Sequence, residues 1–376
     1  MEGIKRNSGI ELIKVFAILL IVLSHVVQTL ADENLYIPYS NYAVNLRHAT
    51  TDFQTFVLII FRYSGALGNS IFFMCSAWFL LESKKVNMGK LFTMIFQVWS
   101  ISFICLVAAL LIKGGNIPFI LIIKALFPFN FNTNWYVVCY IIFYAIHPML
   151  NYCIDSLKQD SLLKAATILG ILYCGFNYIH GAFYSSDLIV WIAIYFIMAY
   201  IKKYVRGGIC NNVKMNIVFM IVGFCGNILI VFVTNILGLH MGLFEEQLFH
   251  WNKNCSPFLL FMAFGMFNIG RYLSFKNKCV NYISGLSLLI YIIHDNLFIK
   301  TYLRPYLWEL IYNRFGYDYI LCWVLLLVAA IFIASLILGI LYKATIQRFI
   351  TYLVPKMKEI ICKIYKKYES VVMKLS

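Results

Sequence analysis

The chain has 376 residues, 62% of them hydrophobic and only 12% charged, with a mean hydropathy of +0.80. This composition excludes a water-soluble globular domain and places the chain among polytopic membrane proteins. The formal net charge of +15 points to an anionic membrane surface rather than to nucleic acid, because the surplus lies in short segments beside apolar runs and in a C-terminal tail.

Ten apolar stretches recur, near residues 10–30, 65–82, 91–112, 134–152, 162–180, 187–203, 215–238, 256–272, 280–298 and 318–342. Crossing about 30 Å of hydrocarbon takes roughly 20 helical residues. The pattern predicts an all-α integral membrane protein, a bundle of about ten transmembrane helices, with residues 1–342 as one membrane domain and 343–376 as a basic tail. An N-in/C-in arrangement places 22 of the 31 Lys and Arg residues inside, among them Lys84, Lys85, Lys202, Lys203 and Arg271. With Lys14 counted within the first helix, it leaves eight outside, as cytoplasmic retention of positive charge requires. The first stretch is too long for a cleavable signal peptide, and no small-residue cleavage site follows it.

In that first stretch, ELIKVFAILLIVLSH, Lys14 and His25 are eleven residues apart. On a helix that is about three turns and roughly 16.5 Å of rise, so both fall on one face at different depths. An ionisable group within a membrane span is costly and marks a candidate site. His25, kept neutral, can take the proton of a hydroxyl; it equally suits a hydrogen bond between helices. Lys14, with Glu11 at ion-pair spacing one turn earlier, either faces an anionic ligand or snorkels to the headgroups.

Further along, His147 precedes Pro148 in AIHPML and is assigned to a helix kink. His294 and Asp295 close the apolar run SGLSLLIYIIHDN at the same end of the bundle as His25, as interfacial caps or as part of a site. The stretches NLYIPYSNYAVNLRHATTDF and FPFNFNTNWYVV are aromatic- and amide-rich, which suits either a polyhydroxylated ligand or a membrane-interface belt. In the tail, Met357, Ile360, Ile361, Ile364, Tyr368, Val371 and Val372 form a stripe against lysines, as in an interfacial amphipathic helix. The eleven cysteines include no CxxC pair, and those in apolar spans read as small apolar residues. Metal-ligand spacing, a GxSxG elbow, a phosphate loop and internal repeats are all missing from the sequence.

Together these features resemble the acyltransferase-3 family of membrane O-acyltransferases. Lys14 and His25 match its basic residue, ten intervening positions and histidine, with Glu11 where the family commonly has an acid. GALGNSIFFMCSAWFLL resembles its second helix, including Ser76; NWYVVCYIIFYAIHPML, opening at Trp135, resembles its tryptophan segment ending in proline. FLLFMAFGMF resembles a late helix with a central glycine, and SLLIYIIH, with Tyr291 and His294, an ending of serine, tyrosine and histidine. The chain departs from the pattern in having Lys14 for the commoner arginine, Ala77 for glycine, only Lys84, Lys85 and Lys90 after helix 2, and Tyr140 where one branch has glutamate.

The resemblance implies acetyl transfer from acetyl-CoA, as co-substrate and without a metal, to a hydroxyl of a cell-envelope or capsular carbohydrate in a bacterial plasma membrane. His25 is then the catalytic base, and Glu11, Lys14, Ser76, Trp135, Tyr291 and His294 bind the donor or support the site. Membrane lipid surrounds the protein, nucleic acid is not a partner, and a second transfer step would call on another envelope polysaccharide enzyme. A lipid-linked glycan transporter or flippase, or a non-catalytic envelope-assembly partner, would also carry polar residues in a helix bundle. The lack of repeats and of paired broken helices argues against the transporter.

Overall fold

The computed structural model describes residues 7–31, 44, 46, 49–131, 133–180, 186–205, 207–244 and 251–375. Lys5, Arg6, Arg47, Arg206 and most of the aromatic stretch 34–53 lie outside the described residues. Among those described, all regular structure is helical. The chain runs α1 (Ser8–Ala31), α2 (Phe53–Leu80), α3 (Met88–Lys113), α4 (Phe119–Leu126), α5 (Trp135–Ser156) and α6 (Gln159–Gly170). A π-helical turn, Ile171–Phe176, leads into α7 (Asn177–His180), followed by α8 (Asp187–Tyr204), α9 (Val213–Met241), α10 (Pro257–Tyr272), α11 (Lys278–Ser284) and α12 (Ser287–His294). After a second π turn, Ile299–Leu303, come α13 (Arg304–Phe315), α14 (Ile320–Ala344) and α15 (Ile346–Leu375).

Among the described residues, seven helices are long and apolar enough to cross a membrane: α1, α2, α3, α5, the continuous run Gln159–Ile179, α9 and α14. The three other expected stretches are helical but of a different kind. α8 carries Asp187, Lys202 and Lys203, α10 has 16 residues, and the stretch 280–298 is divided between α11, α12 and the π turn. Apolar composition alone does not register the interruption at Gly285 and Leu286.

Local chemistry sets the helix ends. Asn87, Asn212, Ser256 and Asn277 accept a backbone N–H from the first turns of α3, α9, α10 and α11, satisfying donors that the helix cannot. Gly114 and Gly242 end α3 and α9 at φ 56° and 62°, a left-handed turn that glycine adopts without a Cβ clash. Within α5, Pro148 has no N–H for the carbonyl of Tyr144, one turn earlier. His147 supplies the missing donor: its Nδ1 lies 2.6 Å from that oxygen, and its ring stacks on Tyr144 at 5.2 Å.

α1 and α2 pack closely. A Cβ at Gly68 would lie 2.6 Å from the carbonyl oxygen of Ala17, and one at Gly65 would lie 2.5 Å from Ser24 Oγ. The two backbones meet because these side chains are absent, the small-residue contact that drives helix association in lipid. Ser64 Oγ donates to Leu20 O at 2.7 Å and Ser24 Oγ to Arg62 O at 2.7 Å, which fixes the register. Behind them Phe73 packs on Trp191 and Phe143 at 4.7 and 4.9 Å, and Tyr136 joins Trp191 to Tyr291 at 4.9 and 5.5 Å. The tail is a helix whose first turns return to α3: Gln97 Nε2 donates to Gln347 Oε1 at 2.6 Å, and Ile350 and Val354 are buried while Ile360 is exposed. The side chains of Ile361, Ile364, Tyr368, Val371 and Val372 lie outside the described residues.

The N-terminus of α2 is held by Asp52, which accepts from the backbone of Gln54 and Thr55 at 3.3 and 2.9 Å and from Tyr317 Oη at 2.6 Å. The hydroxyls of Thr55 and Tyr317 favour the ionised carboxylate and hold its pKa down to about 2. A depressed folded-state pKa gives stability that is fully present above the unfolded value of about 3.9 and is lost as pH falls toward the folded one. Asp52→Asn keeps one cap acceptor but loses the charge and the second carboxylate oxygen, so it should be less stable than the parent at neutral pH by about 1 kcal/mol, the scale of one lost hydrogen bond. The gap between their thermal melts should narrow between pH 4 and pH 2, and a gap independent of pH would contradict the assignment.

Candidate active site

Several elements bring their polar groups to one end of α1. His25 Nδ1 lies 3.0 Å from His294 Nε2 of α12 and 3.3 Å from Asp295 Oδ1. His294 Nδ1 lies 2.7 Å from the carbonyl oxygen of Ile290. That oxygen only accepts, so Nδ1 of His294 carries the proton and, in the neutral ring, Nε2 is the acceptor. His25 must then carry its own proton on Nδ1, donating toward His294 and Asp295. Nε2 of His25 keeps its lone pair, the requirement for a base oriented by a carboxylate.

Asp295 is held in turn by Arg304, whose Nη2 donates to Asp295 Oδ1 at 3.1 Å while Nη1 donates to the backbone oxygen of His25 at 3.0 Å. Arg304 is 2% exposed and Asp295 4%, so each charge needs the other. The two residues meet because the chain turns sharply after α12. Asn296 Oδ1 accepts from Phe298 N at 3.1 Å, the π turn follows, and α13 starts with Arg304 and Pro305 in its first turn. Trp308 Nε1, one turn on, donates to Val26 O at 3.1 Å, so α13 grips α1 at two successive carbonyls.

His25 and Asp295 line a cavity of about 470 Å³ together with Gln28, Arg62, Asn69, Lys124, Trp135, Asn254 and Lys300. Asn69 Nδ2 donates to Asn254 Oδ1 at 3.2 Å, and Asn254 Nδ2 donates to Asp187 Oδ1 at 2.7 Å. This amide chain continues into a second polar hollow of about 510 Å³, which shares Asn252 and Asn254.

Of the residues expected from sequence, His25, Trp135, Tyr291 and His294 gather here. The Tyr291 ring lies 6.2 Å from that of His25 and 5.7 Å from that of His294, and its hydroxyl is buried without a partner among the described residues. Glu11, Lys14 and Ser76 lie at another depth. Glu11 Oε2 accepts from Lys14 Nζ at 3.4 Å and from the hydroxyl of Ser284. Lys14 sits 5.8 Å from the Phe79 ring, while Arg271 and Lys202 flank the neighbouring Trp78 at 3.8 and 4.7 Å. Ser76, on the same helix, hydrogen-bonds Tyr140. The structure thus has two polar stations along α1, a basic one at Lys14 and the histidine cavity.

Sequence reasoning missed Arg304, Arg62, Lys124 and Lys300 as site residues. All four belong to the basic residues left on the outer side by the orientation argument, and that exceptional placement was the available signal.

A model of the acyltransferase-3 family, described as an acyltransferase domain, matches residues 7–339. An all-helical bundle with a histidine in its first helix and a polar cavity beside it is thus a membrane acyltransferase by class, and the chain belongs to that family. Comparison with curated proteins gave no match, and comparison with solved structures gave none either.

Removing one partner of a buried ion pair costs about 3–5 kcal/mol because the other is left uncompensated. Arg304→Met should lower the melting temperature of the detergent-solubilised protein more than the double variant Asp295→Asn/Arg304→Met, which leaves no orphaned charge. A double variant that loses the sum of the two single-variant losses would show that the pair is not coupled.

Proposed function

We propose that the protein is an O-acetyltransferase that moves acetyl from acetyl-CoA to a hydroxyl of a cell-envelope carbohydrate, with His25 as general base. The observation that carries this reading is the geometry of His25: Nδ1 faces His294 Nε2 and Asp295, which assigns the proton to Nδ1 and leaves the lone pair on Nε2, in a ring that lines a polar cavity. In the reaction, the acceptor O–H proton passes to Nε2 as the oxygen bonds to the thioester carbonyl carbon. The C–S bond then breaks, and the CoA thiolate takes the proton back from the imidazolium. Asp295 stabilises the transient cation, as a carboxylate behind a histidine base does.

The basic station supports cytoplasmic entry of the donor. Lys14, Lys202 and Arg271 cluster around Trp78 and Phe79, where phosphates would find charge-assisted partners. The rise of roughly 16.5 Å along α1 leaves room for the pantetheine arm between the two stations. This reading takes both termini as cytoplasmic and the membrane as a bacterial plasma membrane, consistent with the bias of positive charge.

His25→Ala should reduce acetyl transfer in purified membranes by about 10²- to 10⁴-fold while acetyl-CoA binding persists, and the parent should lose activity as acid protonates the imidazole. Near-normal transfer by the variant would overturn the mechanism. Lys14→Ala should weaken acetyl-CoA binding by about 1–3 kcal/mol; unchanged affinity would return Lys14 to a snorkelling role. Cysteine labelling that places residues 201–214 outside would overturn the orientation.

A further inference from the structure

The wall of the histidine cavity holds hydrogen-bonding capacity that proton transfer at His25 does not use. The carboxylate of Asp187 accepts, so Asn254 faces it with Nδ2, at 2.7 Å, and turns Oδ1 toward Asn69. Asn69 meets that oxygen with its own Nδ2, at 3.2 Å, which leaves Asn69 Oδ1 as an acceptor. The chain of hydrogen bonds thus fixes the orientation of both amides. Asn69 Oδ1 is buried with no hydrogen-bond partner among the described residues, and so is Asn252 Oδ1. Asn69 is 7% exposed, and both residues line the cavity. A buried amide oxygen without a donor is costly, so each needs an O–H or N–H from outside the chain.

Asn252 and Asn254 also line the second polar hollow, so the two spaces, of about 470 and 510 Å³, meet at these amides. Each volume falls in the roughly 300–1,000 Å³ range of small-molecule sites. The second hollow reaches Ser186 and Asp187, both exposed.

We infer that the acceptor is a glycan of at least two sugar units. The unit to be acetylated lies beside His25 and gives a hydroxyl to Asn69 Oδ1, the next unit lies in the second hollow, and Asn252 Oδ1 takes a hydroxyl at the junction. The inference rests on the acetyl-transfer reading for calling the ligand an acceptor, while the two-part site stands on the amide chain and the paired hollows. A single sugar would fill one space and leave the other to water. A longer chain has an exit past Ser186 and Asp187.

The test uses the full-length protein in nanodiscs and matched pairs of probes: glucose with cellobiose, N-acetylglucosamine with chitobiose, and galactose with galactobiose. Affinities are measured by ligand-observed NMR titration. In at least one pair the disaccharide should bind about tenfold or more tightly than its monosaccharide, the scale of one or two further hydrogen bonds. Ser186→Leu, which brings an apolar side chain into the second hollow from an exposed position, should remove most of that advantage with little change in monosaccharide affinity. Asn252→Leu, which deletes the oxygen at the junction, should also lower disaccharide affinity. Equal affinities within every pair would leave the amide oxygens to water and overturn the inference, as would an advantage that survives both substitutions. His25→Ala should keep the disaccharide preference; if it also keeps acetyl transfer, the acyltransferase mechanism fails and the two-unit site remains.

Discussion

Burying a carboxylate and a guanidinium costs several kcal/mol per ion, repaid only when each remaining hydrogen-bonding position is also filled. Asp295 and Arg304 offset part of that cost by recruiting the first helix. The second arm of the guanidinium takes the carbonyl of His25, and the carboxylate faces the imidazole of the same residue. The ion pair therefore fixes both the backbone and the side chain of His25. It also explains the irregular chain after α12, where the π turn brings an arginine nine residues away back against its partner. π turns of this kind often occur at functional sites.

The α1–α2 seam supplies a second constraint from the opposite side. With Gly65 and Gly68 against Ser24 and Ala17, α1 has no room to slide or roll, and the serine hydrogen bonds across the seam set its register. His25 is thus held between a face without side chains and a clamp with charges. One contact excludes alternative positions by volume and the other by electrostatics. Apolar packing of Phe73, Tyr136 and Trp191 closes the wall behind Tyr291.

Much of this arrangement was legible in the sequence, for identifiable reasons. All ten apolar stretches are helical, because long apolar runs in lipid must satisfy their own backbone, although only seven have the length and low charge of a full span. Lys14, His25 and His294 stood out because ionisable residues within apolar runs are rare. The role of Arg304 did not, since its partnership with Asp295 depends on a turn whose geometry no helical or strand period encodes. Lys124 and Arg62 are adjacent to the cavity only after α4 and α2 have packed, and their spacing in the chain carries no trace of it. His147 was readable in kind, as a residue beside a proline, but not in its detail of replacing the proline's absent N–H.

The continuity of α1 gives it the property of a ruler. Both polar stations are fixed to one uninterrupted helix, Ser8–Ala31, so the span between them is counted in residues rather than adjusted by loops. One residue added between Lys14 and His25 would lengthen that span by about 1.5 Å and rotate the imidazole by roughly 100°, off the carboxylate and onto a neighbouring face. Three or four added residues would nearly restore the face and displace the depth by a full turn. No insertion returns both coordinates, so this segment can change in composition far more readily than in length.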